Sequence, residues 1–164
     1  VQRAAALSLM GKGLDATVPN WRAVTKETAI WNIEKGQALS ASELIDAEVE
    51  RNRIYAAAVR FMKDYDVIVL PAAQVPPFET TTEWITEIDG KEMETYIDWM
   101  TVCCAITVTG FPAISVPGGF TEDGLPVGVQ MVGKPRGDLA LLRIAHAFEA
   151  ATAHHERQPP VCAV

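Results

Sequence analysis

Basic residues are few: 14 lysines and arginines face 21 aspartates and glutamates, leaving a formal charge of −7, and nowhere do five of them run together. Nucleic acid is excluded as a partner on that ground, because phosphate contacts need clustered cations that release counterions. Long apolar runs are missing as well. No stretch approaches the roughly 20 residues that a membrane span requires. Cysteine is limited to Cys103, Cys104 and Cys162. Three cysteines cannot pair completely, and a disulfide between the two neighbours would need a strained ring. Neither a C-x-x-C nor a ligand-spaced histidine accompanies them, so buried structural thiols in a reducing, cytoplasmic compartment are expected rather than a disulfide scaffold or a metal site.

Serine is scarce too, at Ser8, Ser40, Ser42 and Ser115. A hydrolytic nucleophile needs a base, a lowered pKa or a metal within reach. Ser40 and Ser42 are accounted for by the start of a helix, and Ser115 lies in a strand without the flanking glycines of a nucleophile elbow. Ser8 and Lys12 are four apart in an Ala-rich stretch beside Gly11, a poor setting for a serine–lysine pair. His146 and Glu149 share a helix face, yet a metal would need a further ligand. Gly133-Lys-Pro-Arg-Gly137 leads into a helix start, the usual place to hold an anion, but Asp138 offers its own carboxylate there. No constellation forms a complete active site.

What is present is apolar and patterned. Of 164 residues, 49% are hydrophobic, enough for one domain to fold without disulfides or metal. Arg3 followed by Ala4 to Met10 imitates a signal peptide only faintly, since Ser8 interrupts it and no cleavage site follows. Residues 1–36 read as two helical segments separated by Gly11, Gly13 and Pro19. Trp21, Val24 and Trp31 lie on a buried stripe, and Gly36 acts as a stop. Ser40 and Glu43 form a capping box for a long helix over about 41–63, with Leu44, Ala47, Ile54, Ala58 and Phe61 on its apolar face. Acidic residues fill its first half and basic residues its second, which complements the helix dipole.

At Val67-Ile68-Val69-Leu70 the period changes to that of a strand covered on both faces and closed by Pro71, so the fold class is α/β. Glu79, Glu83, Glu87, Asp89, Glu92, Glu94 and Asp98 face Lys91 alone, so nearly all the excess charge sits in a solvated acidic loop over 79–98. Ala113 to Gly133 reads as two strands with a break at Gly118-Gly119 and a turn at Asp123-Gly124. Asp138 caps a last helix with Leu141, Leu142, Ala145 and Phe148 on its apolar face. Beyond His154 the tail reads as irregular.

Three stretches together carry a resemblance. They are Tyr65-Asp-Val-Ile-Val-Leu-Pro71, Thr109-Gly-Phe-Pro-Ala-Ile-Ser-Val-Pro-Gly-Gly-Phe120, and Gly124-Leu-Pro-Val-Gly-Val-Gln-Met-Val-Gly133 with Asp138-Leu-Ala-Leu-Leu142. In this order and spacing the sequence resembles the C-terminal part of the amidase signature family, over about residues 37–157. The resemblance implies a C-terminal part of a mixed β-sheet core flanked by helices. The whole of 1–164 is then one portion of an amidase domain, with helical segments at 1–36 and a tail at 158–164. A first residue of Val rather than Met fits the expectation of a longer parent.

Members of that family hydrolyse carboxylic amides through a serine acyl-enzyme, with a serine–cis-serine–lysine triad and a Gly/Ser-rich oxyanion loop. No metal or organic cofactor is implied. Those parts belong to the family's N-terminal and middle sequence and have no counterpart here, so the chain alone is expected to be inactive. Its expected contribution is one wall of a pocket for a small-molecule amide, around Tyr96, Asp98, Trp99 and Cys103. Asp98 is similar in place to an aspartate that recognises the substrate's amino group in amidotransferase relatives, although Thr107 stands where those carry asparagine. Trp99 as core and Asp98 as loop charge is the competing reading. The implied partners are the N-terminal part of the same protein and, because a truncated sheet exposes an edge, a second copy. Two other functions stay open: a glutaminase component of the amidotransferase A type, and a non-catalytic module whose acidic 79–98 loop docks a basic partner.

Overall fold

The computed structural model describes residues 1–157. The expected tail at 158–164, with Cys162, lies outside the described residues. The chain divides into two compact units, Val1–Arg53 and Ile54 onward.

The first unit is helical, and its opening residues hold three helices where two segments are expected. Helix α1 (Gln2–Thr17) runs straight through Gly11 and Gly13 and ends just before Pro19; α2 (Trp21–Val24) and α3 (Glu27–Gln37) follow. The glycines serve close packing rather than chain breaking. A Cβ on Gly11 would overlap Ile33, and one on Gly36 would overlap the Ala4 carbonyl. Gly36 is therefore a buried contact inside α3, not its stop. The expected buried stripe also fails. Trp21 is 3% exposed, but Val24 is 82% and Trp31 36% exposed. Helix α2 is only four residues long, so a 3.6-residue period cannot run from Trp21 through to Trp31 on another helix. Trp21 Nε1 donates to Asp15 Oδ1 at 2.8 Å. That bond, with the Arg22 guanidinium, holds the Asp15 carboxyl below the ordinary carboxylate range.

Helix α4 (Ala41–Phe61) begins with the expected capping box. The Glu43 N–H donates to Ser40 Oγ at 3.2 Å, and the Ser40 N–H donates to Glu43 Oε2 at 2.8 Å. The Ser40 backbone N–H holds the Glu43 carboxyl below its ordinary range. Glu48 pairs with Arg51 and Glu50 with Arg53, so the charged pattern supports the helix along its own surface. The apolar face is more open than its spacing implies. No α4 residue is buried, and Phe61, 52% exposed, stacks on Tyr65 at 4.7 Å.

In the second unit, β1 (Ile68–Pro71), β4 (Ala113–Phe120) and β5 (Pro126–Val132) form an antiparallel sheet in the order β1-β5-β4. Two-residue periodicity sends Val116 and Met131 to one face, where α6 (Asp138–Thr152) covers them with Leu141 and Ala145. Val132 points the other way and packs with Met62 and Phe111, joined by Val59, Ile68 and Ile106. The sheet is thus covered on both sides. Strand β1 is covered on one face only: Ile68 and Leu70 pack on the core, and Val69 between them is 57% exposed. The expected break at Gly118-Gly119 is a register shift, and β4 continues to Phe120. A Cβ on Gly118 would meet Val129 Cγ2 at 2.5 Å, so the strands approach too closely there for a side chain.

Three further corrections concern the helices and the acidic segment. Gly137, not Asp138, occupies the α6 cap, and Asp138 is its first helical residue without a capping bond. Leu142 faces outward at 54% exposure, and Ile144 packs on the core in its place. Residues His154–Glu156 form a 3-10 turn rather than an irregular tail. The 79–98 stretch contains a hairpin, β2 (Glu87–Ile88) and β3 (Lys91–Glu92), turned through Asp89 and Gly90 at φ of 51° and 74°. Two consecutive positive φ values are what a two-residue hairpin turn needs, and Asp-Gly supplies them at low cost. Among the described residues no helix is long and apolar enough to cross a membrane.

Gly36→Ala is expected to destabilise the α1–α3 unit by about 2 kcal/mol, whereas Gly13→Ala, with open space at its Cβ, is expected to stabilise α1 by about 1 kcal/mol. Chemical denaturation of both variants checks this. Equal effects at the two sites would contradict close packing as the role of Gly36.

Candidate functional site

The chain beyond β1 does not leave the sheet at once. The Ala72 N–H donates to the Gly128 carbonyl at 3.0 Å, one bond past the end of the β1–β5 ladder. From there the segment reaches a second one, which comprises a 3-10 turn (Asp98–Met100) and α5 (Thr101–Thr109). Cys103 Sγ donates to the Ala72 carbonyl at 3.3 Å. Gln74 Oε1 accepts the Val102 N–H at 2.8 Å, and its Nε2 makes a longer bond of 3.4 Å to the Asp98 carbonyl. Phe78 meets the Trp99 ring edge-on, with centroids 5.6 Å apart. Asp98, Trp99 and Cys103 thus stand on consecutive turns, all held by residues 72–78.

Helix α5 has no N-terminal side-chain cap of its own. Gln74 fills that role from outside, satisfying one of the N–H groups that a helix start leaves unpaired. At the other end Gly110, in the left-handed region at φ 66°, closes the helix with its N–H on the Thr107 carbonyl and turns the chain into β4.

Asp98 is not a solvated loop charge. It is half-buried, and its Oδ2 accepts the Thr95 N–H at 2.7 Å and the Thr95 hydroxyl at 3.0 Å. The Thr101 hydroxyl donates to its carbonyl at 2.7 Å. Trp99 is also half-buried, and its Nε1 is buried without a hydrogen-bond partner. Cys103 and Cys104 are free and half-buried rather than fully enclosed. Tyr96, half-buried, lies in the turn that leads to Asp98.

A cavity of about 480 Å³ opens beside this wall, lined by Gln74, Ile88, Lys91, Glu92, Met93, Glu94, Asp98 and Thr101. That volume suits a small organic molecule. The hairpin supplies most of its other side, with buried Met93 as an apolar floor and carboxylates at the lip. Trp99 and Cys103 are not among the lining residues; Trp99 packs on Phe78 and Cys103 bonds to Ala72. Sequence reasoning missed Gln74 and the hairpin. The Asp89-Gly90 pair is a hairpin signal that could have revealed the second, but no local pattern marks Gln74, whose partners are 24 and 28 residues away.

Three of the serines considered as nucleophile candidates can be located among the described residues. The Ser8 hydroxyl is engaged by the Ala5 carbonyl and that of Ser40 by Glu43. Ser115 sits exposed on β4 opposite Gln130. Among the described residues, no three His, Cys, Asp or Glu side chains gather as a metal site.

With this geometry in view, a family model described as Amidase matches residues 3–142. The chain belongs to the amidase family. It is 41% identical over 97 residues to the A component of the glutamyl-tRNA(Gln) amidotransferase of Dehalococcoides mccartyi, a match covering 58% of the chain and 18% of that relative. Among solved structures it is similar to an amidase, with a TM-score of 0.77 and 23% identity over 91% of the chain and 33% of the other. A bacterial aryl acylamidase of the amidase signature family matches with a TM-score of 0.74 and 22% identity, over 91% of the chain and 31% of that one. The chain therefore has the α/β fold of amidase-signature structures. It spans about a fifth of the length of the curated relative and a third of the solved ones.

Thr95→Val keeps the backbone donor to Asp98 and removes only the hydroxyl. It is expected to cost about 1 kcal/mol and to speed hydrogen exchange locally at residues 95–100. Unchanged exchange there would show that the Thr95–Asp98 contact does not hold the turn.

Proposed function

We propose that this chain is the C-terminal portion of a hydrolase that cleaves small carboxylic amides to carboxylate and ammonia, with the serine–cis-serine–lysine triad outside the chain. In that reading a serine oxygen attacks the amide carbon, the C–N bond breaks, and the nitrogen leaves with a proton as ammonia. Water then cleaves the acyl ester to carboxylate and restores the serine. Asp98 contacts the substrate's polar end, while Trp99 and Cys103 back the wall on which Asp98 stands. The observation that carries this proposal is the family match over residues 3–142, joined to a wall-and-cavity site whose Thr95 and Thr101 hydroxyls are engaged by Asp98. The portion that supplies the triad is the principal partner in this reading, a second copy is a further one, and the unpaired Cys103 and Cys104 favour a reducing cytoplasm.

A second reading is favoured by the 41% identity to the amidotransferase A component: the parent hydrolyses glutamine for a partner enzyme. The acidic lip, with Glu92, Glu94 and Asp98 against Lys91, suits the ammonium end of such a substrate and repels its carboxylate.

The chain by itself is expected to release no ammonia from glutamine, to leave p-nitroacetanilide intact and to resist labelling by a fluorophosphonate probe. Ammonia assay and intact-mass measurement check this. Turnover that Ser115→Ala abolishes would contradict the proposal outright, because it would place a working nucleophile inside these residues.

A further inference from the structure

We propose that Gln74 is a positioning residue for amide binding: its side-chain amide clamps the Asp98–Val102 turn and thereby sets where the Asp98 carboxylate meets the substrate. This rests on the amide-hydrolase reading above and adds to it a residue that neither the sequence pattern nor the family match singles out.

The linkage is mechanical. Asp98 is fixed internally by Thr95 and Thr101, three residues to either side. Those bonds shape the turn but do not tie it to the sheet. The ties run through residues 72–74. Ala72 is bonded to β5 through its N–H and to Cys103 through its carbonyl, and Gln74 holds Val102 and Asp98. A thiol is a weak donor, so the 2.8 Å bond from the Val102 N–H to Gln74 Oε1 is the stronger link between the α5 start and the segment anchored on β5. Gln74 also lines the cavity next to Asp98 and Thr101. Loss of its amide would leave the turn intact and free it to drift against the rest of the pocket. A displacement of about 1 Å in a substrate-orienting group is enough to weaken productive binding.

Three variants in the full-length parent polypeptide, which in this reading supplies the triad, test this. Gln74→Met preserves length but neither hydrogen bond. Gln74→Glu keeps the acceptor for Val102. Gln74→Asn shortens the amide by one carbon, and its chemical likeness guards against a simple failure to fold. The probes are p-nitroacetanilide and L-glutamine. Two lost hydrogen bonds to backbone correspond to roughly a tenfold rise in KM for Gln74→Met, with kcat within about twofold. Gln74→Asn is expected to raise KM in the same direction, and Gln74→Glu to recover most of the loss. An unchanged KM in Gln74→Met and Gln74→Asn overturns the proposal. So does an equal loss in Gln74→Glu, or a fall in thermal midpoint and kcat with KM unmoved, since each makes the role merely structural. If the unaltered parent polypeptide, triad included, turns over neither probe, the amide-hydrolase reading itself has failed, and this inference falls with it.

Discussion

Strand β5 is the constraint on which the second unit depends. It is the only strand of the three-stranded sheet bonded on both edges, to β1 and to β4, and its residues alternate between two cores. Met131 points towards Leu141 and Ala145 of α6; Val132 points towards Met62 and Phe111 on the opposite side. Each is 2% exposed or less. Because the side-chain period of a strand is two, a one-residue slip of β5 would exchange these faces and empty both cores at once. The glycines at 118 and 128 fit the same requirement, since a Cβ on either would strike the facing strand or the Ala72 and Ser115 side chains.

The candidate wall inherits its rigidity from that strand. Segment 72–74 is bonded to Gly128 and in turn holds the start of α5, so Asp98, Trp99 and Cys103 are referenced to the sheet through a few hydrogen bonds rather than through their own hydrophobic core. The hairpin across the cavity is less well supported. Glu87 and Glu92 stand directly opposite one another on β2 and β3, a like-charge pair that works against the pairing. One side of the cavity is thus braced and the other is under electrostatic strain, an arrangement suited to a fixed recognition wall and an adaptable lip.

Much of this was legible in the residues, and the failures have physical causes. The capping box at Ser40 and Glu43, the strand ending in Pro71, the β4–β5 pair and the last helix all follow from local chemistry that the tertiary structure leaves in place. Helix α5 does not: Thr101, Val102, Ile106, Thr107, Val108 and Thr109 are β-branched and give no helix signal, yet Ile106 packs on the core and Gln74 caps the start. In the first unit, Gly11 and Gly36 look like breaks in isolation and prove to be the contacts that let α1 and α3 meet. The hairpin at Asp89-Gly90 was hidden by charge, because seven carboxylates made the segment look wholly solvated. Of the site, the sequence could propose Asp98, Trp99 and Cys103 but not the element that ties them together, since a contact spanning 24 to 28 residues leaves no periodic trace.

In this amidase-family unit a doubly bonded strand fixes the candidate wall. Native-state hydrogen exchange resolved by residue tests that central claim most directly. Amides of Val129 to Val132 should exchange only through global unfolding, those of Val102 and Cys103 next most slowly, and the Glu87–Glu92 hairpin well ahead of both. Exchange of β5 as fast as that of the hairpin would contradict the account, because the wall would then have no fixed frame behind it.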